Sequence, residues 1–169
     1  MFKTRKILME VTLKGSVCNT MGTLPKIGNN APDFKLVDKD LKERSLKDFP
    51  GKKLIAAVPS LDTGVCLTSA KNFNEKGQNF TLIYVSADLP FAGSRICKVE
   101  KLDNIHTLSM MRNKDFAVDY GILLVDGPLE GLCARAIFVI DENNKILYSE
   151  LVNEISAEPN YEAAISAVS

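Results

Sequence analysis

An α/β sandwich with a mixed central sheet and an N-terminal β-hairpin is the fold class this sequence predicts. Three observations carry that expectation. Lys53–Val58 and Phe80–Val85 are nearly continuous apolar runs, the pattern of strands buried on both faces. Helical periodicity between and after them gives a strand, helix, strand alternation. Near the C-terminus two more strand-like runs are joined by the short polar link Asp141-Glu142-Asn143-Asn144, which calls for an antiparallel pair. With 169 residues the chain has the length of one domain, expected to bury roughly 70% of the surface its unfolded form exposes. We read 1–169 as a single domain in which 1–22 forms a hairpin extension.

The elements follow in order. Ile7–Leu13 and Val17–Thr20 flank Lys14-Gly15-Ser16, β-branched runs around a glycine turn, and read as a hairpin. Leu24-Pro25 and Gly28-Asn29-Asn30-Ala31-Pro32 break the chain before a short strand at Phe34–Val37 and a helical turn at Ser45–Phe49, stopped by Pro50-Gly51. The strand Lys53–Val58 ends at Pro59. A helix over about 64–77 carries Val65, Leu67 and Phe73 among polar positions and closes at Gly77, a natural C-cap. After the strand Phe80–Val85, Ser86-Ala87-Asp88-Leu89-Pro90 opens a helix through about Leu102. Ile105–Leu108 is a strand and Lys114–Tyr120 a helix closed by Gly121. Ala134–Ile140 and Lys145–Glu150 complete the sheet, and Asn160–Val168 is the last helix. The order βαβ, then ββα, is the thioredoxin-like arrangement.

Composition narrows the function. The chain is 46% hydrophobic and 25% charged, so it is neither disordered nor of low complexity. Twenty-one basic and twenty-one acidic residues cancel, which argues against a nucleic-acid or anionic-membrane binder. No apolar run approaches the roughly 20 residues of a membrane span, and Met1–Lys6 leads into a mixed segment with no signal-peptide core. A cytoplasmic protein is expected. Cys18, Cys66, Cys97 and Cys133 form no C-x-x-C pair and His106 is the only histidine, so structural zinc is not expected.

The chemistry centres on Pro59-Ser60-Leu61-Asp62-Thr63-Gly64-Val65-Cys66, which sets a cysteine in the first turn of a helix just after a buried strand. Unpaired N–H groups and the helix dipole favour negative charge there, and such positions lower a thiol pKa from about 8.5 toward 3.5–7.5. Asp62 opposes this, while Thr63 is spaced to reach the sulfur or a bound oxygen and Pro59 shapes the turn. Spacing alone leaves a second reading open, a buried inert thiol with Asp62 or Thr63 as an N-cap. A pKa near 6 gains about thirtyfold in thiolate at pH 7, worth about 2 kcal/mol. Enzymes lower barriers by about 8 kcal/mol or more, so donors aimed at developing charge are also needed. Arg135, between Ala134 and Ala136 at the start of a strand, is such a donor or else half of a structural salt bridge.

Pro59-x-x-x-Thr63-x-x-Cys66 is similar to the P-x-x-x-T-x-x-C signature of peroxiredoxins, and its surroundings resemble the bacterial thiol peroxidase branch of that family. Ala31-Pro32-Asp33-Phe34 agrees, as do Ser86-Ala87-Asp88-Leu89-Pro90-Phe91-Ala92 with Ser94-Arg95 and Cys97. So do Asp126-Gly127-Pro128-Leu129, Gly131-Leu132, Ala134-Arg135-Ala136 and Val139-Ile140-Asp141-Glu142-Asn143. The resemblance runs from about Lys6 to Ala167. It departs around Lys76–Asn79, which is a few residues shorter than the family leads one to expect.

The resemblance implies that Cys66 is the peroxidatic nucleophile, oxidised by a hydroperoxide to a sulfenic acid. It implies that Thr63 and Arg135 orient the peroxide and stabilise the breaking O–O bond, that Pro59 shields the pocket, and that no metal or organic cofactor takes part. It further implies that Cys97 is the resolving thiol of an atypical two-cysteine enzyme, that thioredoxin reduces the resulting intramolecular disulfide, and that the protein is a homodimer. Because Cys97 lies on a different helix, a bond needing Cα atoms within about 7 Å requires the first turn around Cys66 and the segment Phe91–Val99 to unwind. Cys18 and Cys133 are expected to be packed thiols and His106 a structural or surface residue. Three other readings are a redox-sensing or holdase module without turnover, a hydrolase pairing Cys66 with His106, and a disulfide oxidoreductase, which the missing C-x-x-C disfavours.

Overall fold

The computed structural model describes residues 8–76 and 79–169. Met1–Lys6, the hairpin start at Ile7 and the C-cap expected at Gly77 lie outside the described residues. The hairpin is present as β1 (Leu8–Leu13) and β2 (Ser16–Met21), paired antiparallel from Leu8↔Met21 to Leu13↔Ser16. Its turn residues Lys14 and Gly15 both have positive φ, 51° and 81°, the conformation that matches strand twist in a two-residue loop. The Glu154 carboxylate accepts from both turn N–H groups, at 2.9 and 3.1 Å, and ties the hairpin to the C-terminal third of the chain.

The central sheet has seven strands: β3 (Leu36–Val37), β4 (Glu43–Arg44), β5 (Lys53–Ala57), β6 (Thr81–Ser86), β7 (Ile105–Ser109), β9 (Ala136–Ile140) and β10 (Ile146–Leu151). Their spatial order is β10-β9-β5-β6-β7-β3-β4. β5, β6 and β7 run parallel and every other neighbour is antiparallel, so the sheet is mixed. Two short strands escape sequence reading, β4 and β8 (Leu123–Leu124), because two residues carry no periodicity. β8 pairs with β2, so the hairpin belongs to its own three-stranded sheet.

Helices α1 (Gly64–Lys76) and α2 (Pro90–Glu100) are the crossovers of β5-α1-β6 and β6-α2-β7. Consecutive parallel crossovers stepping in one direction have the same hand, which puts both helices on one face of the sheet. That face also receives α4 (Tyr161–Val168), whose N-cap Asn160 accepts from the Ala163 N–H at 3.0 Å. Its core joins Leu54, Ala56, Leu82, Tyr84, Ile137 and Val139 of the strands to Phe73, Ile96 and Ala164 of the helices. The opposite face packs Ile55, Ile83 and Phe138 against Phe34, Phe116 and Tyr120, covered by α3 (Asp115–Asp119) and the 3-10 turn Leu46–Asp48. Gly121 ends α3 at φ 72°, and a Cβ there would stand 2.3 Å from the Thr23 backbone.

Several boundaries move by one or two residues, as where the strand expected from Phe34 starts at Leu36 and the helix expected to about Leu102 ends at Glu100. The helix expected over Lys114–Tyr120 shortens to Asp115–Asp119, with Lys114 and Tyr120 as its caps. The strand expected from Ala134 begins at Ala136, because the Ala134 N–H is already used by the Ile122 carbonyl at 2.8 Å. Arg135 therefore stands just before the strand, in irregular backbone beside the end of β5.

Candidate active site

β5 and the loop after it deliver the site. Pairing with β6 continues one residue past β5, the Val58 N–H donating to the Val85 carbonyl at 3.0 Å, and buried Pro59 then turns the chain. The Thr63 carbonyl accepts from the Leu67 N–H at 2.9 Å, making Thr63 the residue from which α1 starts. Cys66 is the third residue of α1, inside the first turn, where N–H groups have no acceptor within the helix. Beneath it the Ser69 hydroxyl donates to the Cys66 carbonyl at 2.9 Å and lies 3.2 Å from the Tyr84 hydroxyl. Ser69 has one proton and gives it to the carbonyl, so Tyr84 is the donor of the second bond. Burial holds the Tyr84 phenol well above its ordinary value, so that proton is available.

Arg135 meets Cys66 from the other side. Its Nη2 donates to the Cys66 sulfur at 3.2 Å and its Nε to the Ile155 carbonyl at 3.0 Å. Both residues are closed off, Cys66 at 0% and Arg135 at 2% exposure. None of the ion pairs among the described residues includes Arg135, which removes the structural salt bridge as its explanation. A buried cation without an anion is costly, and the sulfur is the side-chain acceptor it has. The remaining amino group, Nη1, is buried with no hydrogen-bond partner among the described residues. A donor left unsatisfied beside a nucleophile is a place for an oxygen to bind.

The other expected site residues stand apart from this pair to different degrees. Thr63 is exposed, and its hydroxyl donates to the Ser60 carbonyl at 3.1 Å. Cys97, half-buried on α2, packs at the margin of the same core cluster as Cys66. It lines an open groove of about 710 Å³ along β7, whose pairing with β3 is limited to Val37↔Ser109. Burial, aided by the negative charge of Asp103, pushes the Cys97 thiol up to about 11. His106 sits in β7 in register with Ile83, on the far face of the sheet from Cys66, with its ring edge-on to Phe49 at 5.5 Å. Loss of solvent, followed by the charge of Arg44, holds it below its ordinary value.

Sequence reasoning missed the residue that fastens the Cys66 loop, Asp88. Its carboxylate accepts from the Ser60 hydroxyl at 2.7 Å and the Leu61 N–H at 2.8 Å. The available signal was local, an aspartate two residues after a strand-end serine and two before a proline at a helix start.

Comparison with known proteins agrees with this geometry. Residues 26–165 match the Redoxin family. A thiol peroxidase of Leptospira interrogans is 48% identical over 166 residues, covering 95% of this chain and 97% of that protein. The crystal structure of a peroxiredoxin-like protein from Aquifex aeolicus superposes with a TM-score of 0.86 at 39% identity, covering 95% of this chain and 96% of that one. A thiol peroxidase from Chromobacterium violaceum gives 0.85 at 28% identity and 92% coverage of both chains. Such likeness in sequence and in shape, around a buried thiol facing a guanidinium, means that the chain belongs to the Redoxin family, among its thiol-dependent peroxidases.

Proposed function

We propose that Cys66 reduces hydrogen peroxide and organic hydroperoxides, with Arg135 as the donor to the reacting oxygens. The observation that carries this reading is the contact of Arg135 Nη2 with the Cys66 sulfur, with Nη1 buried beside it and unpartnered among the described residues. The thiolate attacks the terminal peroxide oxygen; an S–O bond forms as the O–O bond breaks, and the departing alkoxide or hydroxide leaves as alcohol or water after protonation. Arg135 Nη1 donates to the oxygen pair as charge develops on it, a stabilisation greater in the transition state than in the bound substrate. Thr63, at the mouth of the helix start, turns its hydroxyl from the Ser60 carbonyl to the peroxide, and Pro59 keeps water from the sulfur. No metal or organic cofactor enters these steps.

The Cys66 sulfenic acid then condenses with the Cys97 thiol, releasing water and leaving an intramolecular disulfide that a thioredoxin dithiol reduces. Cys66 is sealed and Cys97 stands on another helix, so the first turn of α1 and part of α2 unwind for this step. Cys97 stands at the last turn of α2, where its carbonyl accepts from the N–H groups of Lys101, the left-handed cap at φ 55°, and Leu102, so the motion has to release only that closing turn. A reducing compartment such as the cytoplasm suits this cycle. Exposed Leu89 and Phe91, at 54% and 62%, give the α2 start an apolar surface that suits a homodimer contact.

Peroxide consumption coupled to thioredoxin and its reductase tests the reading. Cys66→Ser is expected to abolish turnover, and Cys97→Ser to allow a single turnover that thioredoxin does not recycle. Parental turnover by Cys66→Ser would falsify the assignment, and parental recycling by Cys97→Ser would remove Cys97 from it.

A further inference from the structure

The two cysteine-bearing helices begin in loops that share one carboxylate. Asp88 Oδ1 accepts from the Ser60 hydroxyl at 2.7 Å and Oδ2 from the Leu61 N–H at 2.8 Å, both in the turn between β5 and the helix of Cys66. Asp88 itself directly precedes Leu89, the N-cap of the Cys97 helix, and Pro90, its first residue. Its own position is fixed three ways: the Ser86 hydroxyl donates to Oδ2 at 2.8 Å, the Asp88 N–H donates back to Ser86 Oγ at 3.2 Å, and the Ser109 hydroxyl donates to the Asp88 carbonyl at 2.6 Å. Ser60 Oγ in turn accepts from the Asp62 N–H at 3.1 Å, which carries the restraint to the residue before Thr63. No described ion pair includes Asp88, so its carboxylate serves these neutral donors alone.

We infer that Asp88 is a positioning residue that holds the start of α1 wound, and so sets the balance between reaction with peroxide and closure of the Cys66–Cys97 disulfide. The inference rests on the reading of Cys97 as the resolving thiol. The peroxide step needs Cys66 held against Arg135, hence an intact Ser60–Asp62 turn. The disulfide step needs Cys66, fully buried where it stands, to leave that place, hence the same turn released. Both steps draw on one equilibrium between wound and unwound forms, so a residue that stabilises only the wound form speeds the first and slows the second. Hydrogen bonds to an ionised acceptor are about twice as strong as neutral ones. Asp88→Asn keeps the shape, removes the charge and turns one acceptor into a donor that faces Ser60 or Leu61.

Single-turnover kinetics with hydrogen peroxide separate the phases, oxidation of Cys66 to its sulfenic acid and condensation with Cys97 that releases water. Asp88→Asn is expected to slow the first phase about tenfold and to quicken the second severalfold. Excess peroxide, which adds a second oxygen to a sulfenic acid that lingers, is then expected to leave less sulfinic acid on Cys66 than in the parent, read by mass spectrometry. Ser60→Ala removes one of the carboxylate's donors and should move both phases in the same directions by smaller factors, which keeps the test open if Asp88→Asn folds poorly. A merely structural role slows both phases together, and that result, or two unchanged phases, overturns the inference. One equivalent of peroxide must join Cys66 to Cys97 in the parent. If it does not, the resolving-thiol reading falls and takes this inference with it; if it does while the variants behave as the parent, Asp88 alone is refuted.

Discussion

Cys66 and Cys133 are equally sealed, each at 0% exposure, and Cys133 lies two residues from the arginine that Cys66 touches. Their surroundings differ in kind. The Cys133 sulfur donates to the Met110 sulfur at 3.6 Å within the aliphatic and aromatic core of the far sheet face. Burial pushes that thiol up to about 12, with the Lys114 charge acting against the rise. The Cys66 sulfur instead receives an N–H from a guanidinium that pairs with no carboxylate among the described residues. Depth alone makes a thiol inert; depth beside an uncompensated cation makes a site.

The sharpest way to break this contrast is to remove the cation. Arg135→Met keeps an unbranched chain in the same space and leaves the Cys66 sulfur, like that of Cys133, without a cationic donor in contact. We expect kcat/KM for peroxide to fall about 10²- to 10³-fold, the usual cost of losing one preorganised donor. A fall of less than about threefold, with the fold intact by circular dichroism, would show that the contact with Arg135 does not set the reactivity of Cys66.

The half-exposed thiol sharpens the contrast from a third position. With Cys97 pushed up to about 11, close to one sulfur in a thousand is ionised at pH 8. Alkylation of Cys97 in the reduced protein should therefore rise about tenfold per pH unit through pH 10 and level off near 11. Cys133, pushed up to about 12 and shut from solvent, should stay unlabelled until the protein unfolds. Peptide mapping of iodoacetamide adducts across pH reads both; a Cys97 profile that levels off below pH 9 would contradict the assigned environment.

The surroundings of Cys66 show how far sequence carries. Cys66 is legible because a strand, a proline and a helix start are local patterns with local physics, and β5, α1 and β6 form where the apolar runs place them. The partnership with Arg135 spans 69 positions, and its geometry depends on the Ile122 and Ile155 carbonyls, which no periodicity announces. Thr63 shows how a local bond competes with the one that spacing suggests. Its spacing from Cys66 is right for contact, yet its hydroxyl finds the nearer Ser60 carbonyl first, since a serine or threonine side chain bonds local backbone readily. Asp88 was visible as part of a motif and silent as a partner, because its bonds cross 27 and 28 positions.

Cys133→Ala is a smaller perturbation that acts on the other side of the comparison. It deletes one buried sulfur and its Met110 contact, leaving a void of about methyl size, so unfolding in urea should register a loss of about 1–2 kcal/mol. Peroxidase turnover should stay within twofold of the parent. A tenfold loss of turnover at intact stability would place Cys133 in the chemistry and erase the difference between the two thiols.

The smallest effect belongs to His106, the one imidazole available to a Cys-His mechanism. In β7 it pairs with Ile83, and in parallel register paired residues project to the same side of the sheet. Ile83 belongs to the core opposite Cys66, while its neighbours Leu82 and Tyr84 belong to the core that Cys66 shares. The imidazole is thus separated from the sulfur by the sheet itself, and its contacts are with the Phe49 ring and the groove. His106→Asn should leave kcat/KM for peroxide unchanged within error between pH 5.5 and 8, the range in which an imidazole base would impress its own titration. A variant that loses a pH-dependent step present in the parent would mean that the sheet does not divide the two residues, and with them the two faces on which the contrast between Cys66 and Cys133 depends.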